Sequence, residues 1–185
     1  MNLVNILKLN HISEFRDWLK KHSQQEKECW LALSRKTNSK EIYYINAVYE
    51  AIAFGWIDST LKNIDGISYQ RFSPRAKRSP WTELNKERAR YLIRNYLMTE
   101  AGFKTLPNLD EAFVINDVII DRIKEDLEVY KNFKQFPELY IKVRVDNIQR
   151  MEKYQDVFHS RLEKFIENTK KGIMFGEWND KGKLL

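Results

Sequence analysis

The junction where a helix stops at Gly55 and a strand begins at Trp56 constrains this chain more than any other feature. Tyr44, Ala47, Val48, Ala51 and Ile52 recur at i, i+3, i+4, i+7 and i+8, which gathers them on one stripe of an α-helix. Asn46 and Glu50 fall on the opposite face, and the small Ala47 and Ala51 let the stripe approach a sheet closely. Gly55 stands where a helix ends on a left-handed residue, the C′ position. The run from Trp56 to Leu61 then reads as a strand, Asp65-Gly66 as a tight turn, and the run from Ile67 to Phe72 as its antiparallel partner. With the short apolar run at 28–36 as a further strand, the expected fold is α+β: a small antiparallel sheet of about three strands with helices.

The rest of the chain supplies mostly helix. Phe15, Trp18, Leu19 and His22 form a stripe over 11–22, with Asn10 or Ser13 as cap, and His22 reads as a helix-terminal or core residue. Residues 37–40 read as a loop in which Ser39 is placed to cap the next helix. Pro74 and mutual repulsion among cations make 73–79 a loop, and either Ser79-Pro80 or Thr82 starts the following helix. Its buried stripe is Ala89, Leu92, Ile93, Tyr96 and Leu97, and Gly102 is expected to break the chain. Beyond Pro107 the composition turns helical, with Asn116 as a cap, Pro137 opening another helix and Gly172 ending the last one. The 140–146 run alternates at period two inside this helical context and fits strand or helix. The tail after Gly172 is expected to fray. The predicted division is an α+β lobe at 1–106 and a helical C-terminal lobe at 107–185, packed on the first.

Composition excludes several classes. With 43 % hydrophobic and 13 % aromatic residues, wholesale disorder is excluded. The single cysteine, Cys29, cannot form an internal disulfide and sits in an apolar run, so it reads as a buried structural thiol. Three histidines and one cysteine leave no zinc-ligand spacing, and no metal or cofactor is expected. No apolar run nears the roughly 20 residues that span a bilayer, and the N-terminus lacks a cationic leader region, so a cytoplasmic location is expected.

The basic character is concentrated in a short stretch. Residues 71–90 hold seven cations (Arg71, Arg75, Lys77, Arg78, Lys86, Arg88 and Arg90) and two anions, a net of +5 against +6 for the whole chain. Asp58, on a strand between apolar neighbours, is expected to pair with Arg71 or Arg75 across the hairpin. That pair is either structural or part of a groove for an anionic small molecule. In the second case the arginines supply forked contacts, the amides at the 79–83 helix start supply donors, and Trp81 supplies a stacking face. Lys77, Arg78, Lys86 and Arg90 extend the basic patch. No Ser–His or paired-carboxylate arrangement and no Gly-rich phosphate loop is readable, and flanking arginines oppose Asp58 as a general base, so no catalytic constellation emerges. Two alternatives use the same cations: single-stranded nucleic acid, with Phe72, Trp81 and Tyr91 stacking on bases, or an acidic protein partner.

Three signatures make the sequence resemble the YdeI-like, OmpD-associated bacteriocin-protection family. They are Phe15-Arg-Asp-Trp18-Leu19 ending at His22 and followed by Cys29-Trp30-Leu31; Ala51-Ile-Ala-Phe54-Gly55-Trp56-Ile57-Asp58-Ser59; and Arg71-Phe72-Ser73-Pro74-Arg75 with Ser79, Trp81 and Asn85. The resemblance covers 12–105 well and 137–172 more loosely. It adds Ser79 and Asn85 to the ligand-binding candidates and implies a link to bacteriocin or antimicrobial-peptide tolerance. Val157-Phe158 replaces the family's Thr-Arg pair, and only Arg161 of its basic C-terminal helix remains.

Overall fold

The computed structural model describes residues 3–36 and 39–185 and has the α+β architecture, with five strands and eight helices among the described residues. Two residues of the predicted 37–40 loop, Thr37 and Asn38, lie outside them. The three expected strands are β2 (Cys29–Ser34), β4 (Trp56–Ile64) and β5 (Ile67–Pro74). The sheet is larger than expected because β1 (Ile6–Leu7) and β3 (Ile42–Tyr43) join it. Two residues are too few to carry an alternating pattern, so the sequence does not announce them.

Strand β2 is the centre of the sheet. On one side it pairs antiparallel with β5, Cys29 opposite Phe72 and Trp30 opposite Arg71. On its other side β1 pairs parallel with Trp30 and Leu31, and β3 pairs parallel with Leu33 and Ser34. Strands β4 and β5 form the expected hairpin, with Ile64 opposite Ile67 across Asp65-Gly66. Both turn residues have positive φ, 50° and 80°, the geometry of a type I′ turn. The ladder shifts by one residue between Asp58 and Leu61, a β-bulge on β4 immediately after Asp58.

Helices α1 (Ile12–His22) and α2 (Tyr44–Ala53) contribute the buried stripes to this sheet. Phe15, Leu19, Ala47, Val48, Ala51, Ile52, Trp56 and Phe72 are all buried, with the Phe15 and Phe72 rings 5.4 Å apart. Burying each large side chain contributes about 1.5–3 kcal/mol. The caps differ in detail from expectation. His11, rather than Asn10 or Ser13, stands before α1, where the Glu14 carboxylate accepts the amides of Asn10 and His11. Tyr43, rather than Ser39, precedes α2. Gly55 takes the expected left-handed C′ conformation, φ 74°.

Helix α3 (Glu83–Arg94) starts at Thr82, whose hydroxyl accepts the Asn85 amide at 3.1 Å, so Thr82 and not Ser79-Pro80 is the start signal. Gly102 does not break the chain; it lies inside the one-turn α4 (Glu100–Phe103). A Cβ there would stand 2.4 Å from the Ala53 carbonyl oxygen, so glycine is required for close approach.

The C-terminal helices are α5 (Asp117–Lys124), α6 (Leu127–Phe133), α7 (Glu138–Gln149) and α8 (Gln155–Lys170). Their core gathers Ile119, Ile123, Val129, Phe133, Tyr140, Val145, Ile148, Phe158, Leu162 and Phe165. The ambiguous 140–146 run is helical, within α7. The tail does not fray: Trp178 packs edge-on to Tyr140 at 5.6 Å, and Leu184 is buried.

Two compact units result. One comprises Met1–Pro80 with Arg88–Leu109, the other Trp81–Glu87 with Asp110–Leu185. The break at 109/110 falls close to the 106/107 boundary read from composition, but the second unit also takes in a segment from mid-chain. Within that unit Asp146 accepts the Glu83 amide at 3.1 Å, and Arg150 donates to the Trp81 carbonyl. Among the described residues no helix is long and apolar enough to cross a membrane.

Candidate functional site

Asp58 lies on β4 opposite Phe72, on the sheet face covered by α1 and α2. Its partner is a tyrosine. The Tyr44 hydroxyl, from the first turn of α2, donates to Asp58 Oδ2 at 2.5 Å. Burial pushes the Tyr44 phenol well above its ordinary range. The Asp58 charge and the hydrogen bond to it act the same way, against Arg88 and Arg35. Tyr44 therefore stays protonated and holds its proton toward Asp58.

Of the two arginines expected beside Asp58, Arg75 shares its electrostatic environment. The Arg75 side chain is buried, with the residue only 8 % exposed; its amide donates to the Gly55 carbonyl at 2.9 Å and its Nη1 to the Pro80 carbonyl at 3.3 Å. Desolvation pushes the guanidinium pKa down to about 10, opposed by the Asp58 charge, so it remains cationic at neutral pH.

Arg71 goes elsewhere. It is one residue out of phase with Phe72, so the alternation of the strand turns it to the other sheet face. There its Nε donates to Glu28 Oε2 at 2.7 Å, beside its register partner Trp30. Trp30 Nε1 donates to the other oxygen of Glu28 at 3.1 Å. The Trp30 and Arg71 bonds together hold the Glu28 carboxyl below its usual range. The expected Asp58–Arg71 pairing is thus replaced by Glu28–Arg71.

Of the remaining candidates, Lys77, Arg78, Ser79 and Arg90 belong to the first unit and Trp81, Asn85 and Lys86 to the second. Ser79 donates its amide to the Ala76 carbonyl, in the exposed loop that carries Lys77 and Arg78. Lys86 is paired with Glu83 at 2.7 Å, and Arg90 donates to the Leu109 carbonyl. Of the aromatics read as stacking platforms, Phe72 is fully buried and Tyr91 packs edge-on against Tyr49 at 5.4 Å.

A cleft that sequence reasoning missed opens beside Tyr44. Its volume is about 640 Å³, and Ala32, Arg35, Lys36, Glu41, Tyr44 and Ile67 are among its lining residues. Strand β2 ends at Ser34, which delivers Arg35 and Lys36 to the rim, while the far ends of β4 and β5 supply Leu61 and Ile67. The Arg35 guanidinium lies 4.3 Å from the centre of the Tyr44 ring. The cleft thus offers two cations, a phenol fixed by Asp58 and an apolar wall. Glu41 is its one acidic lining residue among the described residues and accepts from the Ser39 hydroxyl. Among the described residues no three His, Cys, Asp or Glu side chains come together as a metal site. Cys29 is fully buried and burial raises its thiol pKa, as a structural role requires.

No curated protein and no solved structure matches the chain. A family model described as a domain of unknown function, DUF8412, matches residues 7–105, which contain Arg35, Tyr44, Asp58 and Arg75. That match spans more than half of the 185 residues, and the chain belongs to the DUF8412 family.

Proposed function

We propose that the N-terminal unit binds a small anionic molecule with an apolar portion, in the cleft beside Tyr44 rather than in a groove between Arg71 and Trp81. The observation that carries this reading is the Arg35 guanidinium over the Tyr44 ring at 4.3 Å, with the Tyr44 hydroxyl anchored on Asp58 at 2.5 Å. A guanidinium whose carbon lies over a ring can still turn its N–H donors toward a carboxylate or phosphate. Lys36 adds a second charge at the rim, and Leu61 and Ile67, both exposed, give the ligand body an apolar surface. A cleft of this size falls in the range that encloses small molecules. Asp58 here serves to position Tyr44, which fits binding better than acid–base chemistry. The resemblance to bacteriocin-protection proteins makes bacteriocin tolerance the cellular property to measure alongside binding.

A thermal-shift screen of carboxylate- and phosphate-bearing metabolites at two salt concentrations tests the proposal. A ligand that raises the melting temperature of the native chain is expected to bind about tenfold or more weakly to Arg35→Gln, the loss of one charge-assisted contact. Tyr44→Phe should weaken binding and also lower stability by about 1–3 kcal/mol, because Asp58 loses its donor. An Arg35→Gln protein that responds to the same ligands as strongly as wild type would overturn the assignment. Stabilisation by single-stranded oligonucleotides alone, collapsing at the higher salt, would favour nucleic acid instead.

A further inference from the structure

A second cavity, of about 300 Å³, lies wholly within the helical unit. Its wall combines Arg144 and Asn147 of α7, Arg161 and Lys164 of α8, and Phe175 with Gly176 from the segment after α8. Among the described residues no acidic side chain lines it. Two acids close in sequence to its cations are engaged elsewhere: Asp146 with Arg150 and the Glu83 amide, Glu163 with Arg122. Three cations therefore share one small cavity without a neutralising carboxylate in its wall, an arrangement unfavourable unless an anion completes it.

Each cation is held in place by the protein. Arg144 Nη2 donates to the Glu177 carbonyl at 2.9 Å, and its guanidinium carbon stands 5.4 Å from the Phe175 ring centre. Its Nε is buried and has no hydrogen-bond partner among the described residues. Arg161 Nη1 donates to the Asn147 carbonyl at 2.7 Å and to Asn147 Oδ1 at 2.9 Å, leaving its other donors outside these bonds. The Lys164 ammonium sits over the same Phe175 ring at 5.2 Å. Gly176 has φ 72°, and a Cβ on it would stand 2.5 Å from Arg144 Nη1, so the backbone passes as close to the guanidinium as glycine allows. Burial lowers the Arg144 pKa, opposed by Tyr140 and reinforced to a smaller extent by the charge of Arg161.

We infer that this cavity is a binding site for the phosphoryl group of a small phosphomonoester. Two guanidinium groups and an ammonium on two helices present donors from several directions, which suits a tetrahedral dianion better than a planar monocarboxylate. The small volume and the Phe175 wall fit a compact ester rather than a polymer or a bilayer surface.

Calorimetric titration of the full chain at low ionic strength, with inorganic phosphate and glycerol 1-phosphate as probes, tests this. Saturable one-to-one binding is expected. It should weaken about tenfold in Arg161→Gln and in Lys164→Gln, and vanish in the double variant while cooperative unfolding is retained. Both side chains reach solvent, so the fold is expected to survive; amide chemical shifts of Asn147 and Gly176 give a second readout and should move on phosphate addition in wild type and not in the double variant. Arg35→Gln should leave this titration untouched, which separates it from the N-terminal cleft. Undiminished binding in the double variant would overturn the site, as would stronger binding to a single-stranded oligonucleotide or to phosphatidic-acid vesicles than to the monoester.

Discussion

Phase along a strand decides the fate of the two arginines. Arg71 and Arg75 are four residues apart, and on an ideal strand they would share a face. Strand β5 ends at Pro74, and Arg75, just past it, donates its amide to the Gly55 carbonyl and buries its side chain, while Arg71 stays on the face of Trp30 and Glu28. The Glu28–Arg71 pair has a consequence that pH can read. The folded Glu28 carboxyl titrates below its ordinary value of 4.5, so its contribution to stability is fully present above that pH and is lost as pH falls through the folded pKa. With both side chains partly exposed, 28 % and 31 %, the contribution is about 0.2–1 kcal/mol. Glu28→Gln should therefore cost a few tenths to about 1 kcal/mol at neutral pH, a cost that disappears as pH falls through the folded Glu28 pKa. Melting curves from pH 3 to 7 in which wild type and variant differ equally at every pH would contradict this.

Among the elements, the β4–β5 hairpin was the most legible, because an Asp-Gly turn between two apolar runs has one low-energy solution. Helix α2 was legible for a related reason: its stripe and its glycine stop agree. What escaped was non-local. Strands β1 and β3 exist because β2 presents an edge to them, and nothing in Ile6–Leu7 or Ile42–Tyr43 alone says so. Tyr44 was visible as a stripe residue, yet its bond to Asp58 depends on a helix start meeting a strand start across Gly55. Arg35 carried no local signal at all. The bulge after Asp58 was equally silent in sequence. The turn itself offers a clean test. A Cβ on Gly66 would meet nothing within 4 Å, so only the positive φ opposes it. Gly66→Ala should cost about 1–2 kcal/mol in urea denaturation, the price of a left-handed alanine. A cost near zero would mean the turn is not type I′.

At the scale of the whole chain, the second unit is not a contiguous stretch. Composition marks the shift to helix near Pro107, but composition cannot show that Trp81–Glu87 belongs with Asp110–Leu185. Asp146 is the fastening. It accepts the Glu83 amide and both of its oxygens lie 3.0 Å from Arg150 Nε, while Arg150 reaches on to the Trp81 carbonyl. Glu83 is buried, so its amide has little recourse to water when Asp146 is removed. Asp146→Ala should destabilise the protein by about 1–3 kcal/mol. Hydrogen exchange should speed up at the amides of residues 83–87 and of α7, more than in β2, β4 and β5, which belong to the other unit. A peptide of residues 110–185 carries the helices but lacks the Trp81 carbonyl and the Glu83 amide, so it should show less helix by circular dichroism, per residue, than those positions do in the full chain. Full helicity and cooperative melting of that peptide would show that the mid-chain segment decorates the unit rather than completing it.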